Sequence, residues 1–435
     1  MRGLAQAVAA AAPERIGAVT AVRGLALEVA GLPCAVGDHI DIASDTVAPT
    51  RAEVVASARG TLTCMPFGPL AGLRVGQPVR AVRAAAGVPT GAGLLGRVLD
   101  GLGRPIDGRG PLVADRAPAD DRAPSPMERA RIDTPLATGV RALDTLVTLG
   151  RGQRIGLFAG SGVGKSSLLS MVARGTEAEI SVIALVGERG REVREFLEDD
   201  LGPEGMARSV VVVATSDEPA LMRLRAAETA TSIAESFRAA GAHALLMMDS
   251  LTRVAMAQRE TGLSAGEPPA TRGYPPSAFA LLARLLERAG TARTGSVTGI
   301  YTVLVDGDDH NEPVADAARS ILDGHVVLDR KLAVMGHYPP IDVLGSISRV
   351  ATKVNPRERT AAATALRRVL AARTSAQDLI DVGAYTRGAN PLVDAALDHS
   401  DRIEAFLTQR LEDQTPAEQA WATLTDLSTT LGGLR

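Results

Sequence analysis

The stretch RIGLFAGSGVGKSSLLSMVAR, residues 154–174, admits few folds. A short apolar run, a glycine-rich turn and apolar positions at helical spacing read as strand, loop and helix. Bare amides in such a turn can ring phosphate groups, and the amino terminus of the helix adds its positive dipole end. Gly160, Ser161, Gly162, Val163 and Gly164, with Lys165, Ser166 and Ser167 at the helix start, form the candidate cradle for ATP. Only three of the 47 basic residues are lysines, at 165, 331 and 353. A lysine in this loop therefore stands out: its compact ammonium on a flexible stem suits the β- and γ-phosphates better than a planar guanidinium fork. The Ser166 hydroxyl would meet Mg2+. The pattern departs from the general motif at Ala159, where a glycine usually opens the loop. An unliganded Gly/Ser turn is the plain structural alternative.

At 435 residues the chain has room for about three domains of roughly 150 residues each. From about residue 18 to 113, short β-branched segments punctuated by glycine (AVTAVRG, HIDI, AEVVASARG) indicate a small β-barrel, assigned to residues 1–113. Residues 114–130, rich in Pro, Asp and Ala, read as a linker. Residues 131–354 alternate apolar strands with helical patterns, as βαβ units in a parallel sheet do. From 355 to 435 alanine- and leucine-rich helical segments follow, so the expected class is an α/β nucleotide-binding core between a barrel and a helical C-terminal domain. No stretch approaches the ~18 apolar residues of a membrane span. The opening MRGLAQAVAAAAP, with one arginine and a short alanine-dominated run, is not read as a signal peptide. Cys34 and Cys64 are expected to be free thiols.

HALLMMDS is an apolar strand ending in Asp249, placed either to hold Mg2+ or to cap the following helix. In LVGERGREV a buried-looking strand runs into Glu188, Arg189, Arg191 and Glu192, which the pattern alone fits equally to a charged surface turn or to a site. Ligands of a parallel sheet sit outside the carboxyl ends of its strands. There Glu188 can orient and polarise the water that attacks a γ-phosphate, and Arg189 can contact that phosphate. Arg191, Glu192 and Arg194 read as a solvated helix start or a contact to a neighbouring chain.

These segments, together with SISRV, GEPPATRGYPPSAFALLARLLERAG and VLVDGDDHNEPVADAARSILDGH, resemble the rotary ATP synthase superfamily and most closely the flagellum-specific ATPases of the flagellar type III export apparatus. The resemblance spans roughly residues 18 to 410. It implies a nucleotide-binding core of the RecA type that hydrolyses MgATP at the interfaces of a homohexamer. It also implies Glu188 as catalytic glutamate, Arg189 as its phosphate-contacting neighbour, Asp249 and Ser166 at the magnesium, Arg349 as an arginine finger inserted into the neighbouring subunit's site, and Tyr338 stacked on adenine. Expected partners are a stator-like regulatory protein, a central-stalk coiled-coil protein, the export gate at the membrane, and export substrates with their chaperones. The expected place is cytoplasmic, peripheral to the inner membrane. The family's regulator binds an N-terminal amphipathic helix, whereas here only about 17 residues with few charges precede the first barrel-like strand.

Three rivals share parts of this pattern: a non-flagellar type III secretion ATPase, an ATP synthase catalytic subunit, and a ring-shaped RNA translocase. A barrel that binds single strands offers aromatic platforms and basic groups. The first 157 residues hold one aromatic, Phe67, and the net charge is −3, so no nucleic-acid partner is expected. A scaffold that merely binds nucleotide would not need Glu188 or Arg349.

Overall fold

The structure, a computed structural model, describes residues 15–44, 49–82, 87–118, 121–305 and 312–431. The N-terminal segment considered for the regulator, and His310 and Asn311 of the HNEP stretch, lie outside the described residues.

Six strands close into a barrel in the order Ile16–Arg23, Ala26–Ala30, Thr61–Pro66, Thr50–Ala58, His39–Ile42 and Pro78–Ala81, the last pairing back onto the first. Alternating positions fill it: Leu27 and Val29, Ile40 and Ile42, Ala52 and Val54, Leu62 and Cys64. Cys34 and Cys64 are both free, and burial pushes the Cys64 thiol up to about 12, far from a reactive thiolate.

The barrel is shorter than the glycine-punctuated texture suggested. Val98–Asp100 leaves it and pairs in parallel with Ser209–Thr215, extending the central sheet, while Val88–Thr90 pairs with Asp115–Ala117. Within 114–130, Arg129 donates to the carbonyls of Ala289 and Glu287, tying that stretch to the core. A short β-branched run looks alike in a barrel and at a sheet edge, so local texture could not separate the two.

The central sheet runs in the order Ile341–Ser348, Gly324–Leu328, Arg154–Ala159, Ser296–Leu304, His243–Asp249, Ile180–Glu188, Ser209–Thr215, Val98–Asp100. All are parallel except Ile341–Ser348, which lies antiparallel on its edge. Both faces are buried. Val182, Ala184 and Val186 face one core with the helices Ala220–Ala239, Leu251–Ser264 and Pro276–Arg288. Ile183 and Leu185 face the other, shared with the helix Lys165–Gly175 and the C-terminal helices Arg357–Asp381 and Ala417–Thr430. That second face is where the site is built. Among the described residues, no helix is long and apolar enough to cross a membrane.

Candidate active site

The glycine-rich loop leaves the carboxyl end of Arg154–Ala159 and enters the helix Lys165–Gly175. Gly162 and Gly164 have φ of +74° and +100°, which L side chains resist. Ala159 is instead the last strand residue, paired with Leu304 and absent from the positive-φ positions. That explains the motif departure: the backbone there is ordinary strand and demands no glycine. Arg330 braces the loop, donating to the Ser161 carbonyl at 3.1 Å.

Three acidic and basic groups converge beside the loop. The Lys165 ammonium, largely buried, donates to Asp249 Oδ1 and, at 3.4 Å, to Glu188 Oε1. Burial works against its charge, but Asp249 and Glu188 outweigh that and hold its pKa above the ordinary lysine value. Asp249 Oδ1 also accepts a 2.8 Å bond from Thr302 on the adjacent strand. Thr302 carries no sequence signal, being one of four hydroxyl-bearing residues in Ser296–Leu304, with Ser296, Thr298 and Tyr301. Asp249 does not cap the next helix. Ser250 does so, its hydroxyl accepting from the Arg253 amide at 3.3 Å, and this leaves the aspartate free for Lys165.

Glu188 reaches this face through a bulge. In Ile180–Glu188 even-numbered residues up to Val186 point to the opposite core. The register with Ser209–Thr215 slips between Val186 and Glu188, and Gly187 sits in the slip at φ +74°. One extra residue inverts the alternation, so Glu188 joins the side of Leu185, Asp249 and Lys165. A Cβ on Gly187 would lie 2.9 Å from Cβ and Cγ of Arg253, a residue that sequence reading passed over and that packs directly against the bulge. Burial, then the charge of Asp249, raise the Glu188 pKa above the usual carboxylate range, with Lys165 opposing.

The remaining expected residues are distributed differently. Arg189 is exposed and bonded to Glu192 at 3.2 Å, outside the Lys165 cluster. Arg191 pairs with Glu195 and Arg194 with Glu198 on an exposed helix start. Tyr338 stands beside the loop, its ring 3.6 Å from where a Gly164 Cβ would be. With Gly164, Met171, Pro340, Gln409 and Leu411 it lines a cleft of about 320 Å³ whose walls are mainly apolar, suited to a flat heterocycle. Gln409 comes from the C-terminal segment, and its amide donates to the Tyr338 carbonyl at 2.7 Å. No local pattern marks it, because it joins the cleft only through tertiary contact.

Arg349 lies far from this cluster. Ser348 pairs with Gly324 and Ile341 with Leu328, so the antiparallel strand starts beside the cleft and ends at the amino-terminal edge of the sheet. A strand the length of Arg154–Ala159 spans about 16 Å, and that separates Arg349 from its own loop. Its side chain is exposed there.

The oxygen donors suit magnesium better than a protein-caged metal. Asp249 offers one carboxylate and Ser166, exposed at the helix start, one hydroxyl. Among the described residues no group of three His, Cys, Asp or Glu gathers to hold a metal. Magnesium is usually held by one or two protein oxygens plus substrate phosphates.

Comparison with known proteins agrees with this architecture. Residues 139–348 match the ATP synthase alpha/beta family nucleotide-binding domain, and 355–426 match the T3SS EscN ATPase C-terminal domain. The flagellum-specific ATP synthase of Bacillus subtilis is 49% identical over 423 residues, covering 95% of each chain. The type 3 secretion system ATPase of Xanthomonas euvesicatoria is 49% identical over 416 residues, covering 95% of this chain and 94% of its own. The assembled ATPase EscN from the enteropathogenic E. coli type III secretion system superposes with a TM-score of 0.88 at 42% identity, over 95% of this chain and 100% of that one. With its phosphate loop, its carboxylate-paired lysine and this similarity along nearly its whole length, the chain belongs to the ATP synthase alpha/beta family and, within it, to the ATPases of flagellar and type III protein export.

Proposed function

We propose that the chain energises flagellar type III protein export by hydrolysing MgATP at the interfaces of a homohexamer. The observation that carries this reading is the division of the site across the sheet. Lys165, Glu188 and Asp249 meet at its carboxyl edge, and Arg349 stands exposed at the opposite edge. One copy cannot supply both sides of one phosphate, whereas a closed ring of identical copies can. The EscN relative is described as assembled, and in a second structure as complexed with its central stalk, EscO.

In this reading the loop amides and Lys165 bind the β- and γ-phosphates, and the apolar cleft beside Tyr338 takes the adenine. Glu188 accepts a hydrogen bond from the attacking water and aligns it. Arg349 of the neighbouring copy meets charge that builds on the transferring phosphoryl group. Magnesium, held by Ser166 and Asp249, would neutralise phosphate charge. When phosphate draws Lys165 away, the Asp249 carboxylate keeps Thr302 as its anchor. Arg189, paired with Glu192, would have to leave that partner to contact phosphate.

Stacking on an aromatic ring is worth about 1–3 kcal/mol per base. Tyr338→Ala should therefore raise the KM for ATP roughly 10-fold with kcat little changed, while Tyr338→Phe keeps KM near wild type. Steady-state titration of ATP checks both. The stator-like regulator, stalk, export gate and chaperoned substrates, and a cytoplasmic position at the inner membrane, follow from the same reading. A non-flagellar system is the second reading, favoured by the Xanthomonas relative's equal identity. Deleting the chain's gene separates them: loss of flagellar filaments supports the flagellar role, and intact filaments with lost secretion of other proteins supports the second.

A further inference from the structure

Gln153 immediately precedes the strand that leads to the phosphate loop, yet its side chain points to the other end of the machinery. It is fully buried. Its Nε2 donates to the Asp323 carbonyl and to Ser348 Oγ, each at 3.1 Å, and its Oε1 accepts from the Gly150 amide at 2.9 Å. The Asp323 carbonyl accepts a second bond, from the backbone amide of Arg349 at 3.0 Å. Ser348, the residue before Arg349, donates its hydroxyl to the Thr148 carbonyl at 2.7 Å. Asp323 is itself fixed, its carboxylate accepting from the amide and Nε of Arg154 at 3.1 Å.

The base of Arg349 is thus clamped on two sides by one buried amide. A buried glutamine whose donors and acceptor are used this way is unlike an ordinary core residue, since an apolar side chain would fill the space without desolvating two polar atoms. We infer that Gln153 is a positioning residue for Arg349: it holds the finger offered to the neighbouring copy and joins it through the strand Arg154–Ala159 to the phosphate loop of its own copy. The inference rests on the proposal that Arg349 acts across the subunit interface. It adds a rigid path from each site to the finger that serves the next one, through which occupancy of one loop can bias the adjacent interface.

The test exploits the two-sidedness of the ring. Gln153→Leu keeps the bulk and removes the clamp, and Ser348→Ala removes half of it at a less buried position. Displacing a group by about 1 Å can cost 100-fold, so each variant alone should lose at least about 10-fold in kcat, with the KM for ATP within about 2-fold. Each is then assembled in equal amounts with Glu188→Gln chains. In mixed rings about one interface in four joins an intact loop from a Gln153→Leu chain to an intact finger from a Glu188→Gln chain, so the mixture should turn over faster than the mean of the two parent rings, approaching a quarter of wild type. The same mixing with Arg349→Ala in place of Gln153→Leu should also restore activity, while Gln153→Leu mixed with Arg349→Ala should not, because both damage the finger.

Failure of Arg349→Ala to complement Glu188→Gln would overturn the interface reading itself. Complementation by Arg349→Ala but not by Gln153→Leu or Ser348→Ala would place Gln153 in its own loop and overturn only the present inference. Wild-type turnover in both Gln153→Leu and Ser348→Ala would do the same.

Discussion

Glu188→Gln is expected to bind ATP as wild type does and to lose about 10²- to 10⁴-fold in turnover, the range that a positioned acid or base supplies. The substitution is close to isosteric, and Lys165 keeps its bond to Asp249, so the phosphate cradle should survive. What goes is the anionic oxygen 3.4 Å from the Lys165 ammonium, the group able to draw on a water proton. Fluorescent-nucleotide binding and steady-state hydrolysis on the same preparation check the two halves. The pH profile adds a sign. Because burial and Asp249 raise the pKa of Glu188, its reactive ionised form is lost on acidification sooner than an ordinary carboxylate's would be. Turnover of the wild type should fall on that limb, and the Glu188→Gln residual should not. Turnover within 2-fold of wild type would remove Glu188 from the mechanism.

Arg349→Ala should cost still more, about 10³- to 10⁵-fold in kcat, as for arginine fingers elsewhere. Its own loop lies at the other edge of the sheet, so ATP affinity of the isolated chain should stay unchanged. Arg349→Lys should recover little, because an ammonium lacks the planar fork. The wild type should show the same dependence on neighbours through dilution: specific activity should fall as rings dissociate, and sizing should follow it. A monomer with full activity at every concentration would exclude a finger supplied from outside.

The parts of this design carried by local sequence were legible before any coordinates. Strand, loop and helix at 154–175 follow from glycine placement and periodicity, and the strands ending in Glu188 and Asp249 follow from apolar runs that stop at a charge. Position at a strand end placed both carboxylates at the loop's edge of the sheet. Periodicity could not show the bulge at Gly187 that turns Glu188 to the correct face, because one glycine before a glutamate has many other uses. Nor could it show Thr302, Gln409 or Gln153, whose roles exist only between distant segments: Gln153 and Ser348 are 195 positions apart. The finger role proposed for Arg349 came through resemblance alone; the antiparallel edge strand supplies the physical reason it stands away from its own loop.

The strand Val98–Asp100 limits how this chain can be cut. It covers Ser209–Thr215 from a segment that precedes the core in sequence, and Glu53 of the barrel is paired with Arg225 of the core at 2.5 Å. A fragment begun at residue 131 would strip both away. It would present an uncovered row of amides and carbonyls along SVVVVAT, β-branched and uncharged, the kind of edge that recruits other chains into fibres. The barrel's exit segment is therefore a guard against aggregation as well as a connection.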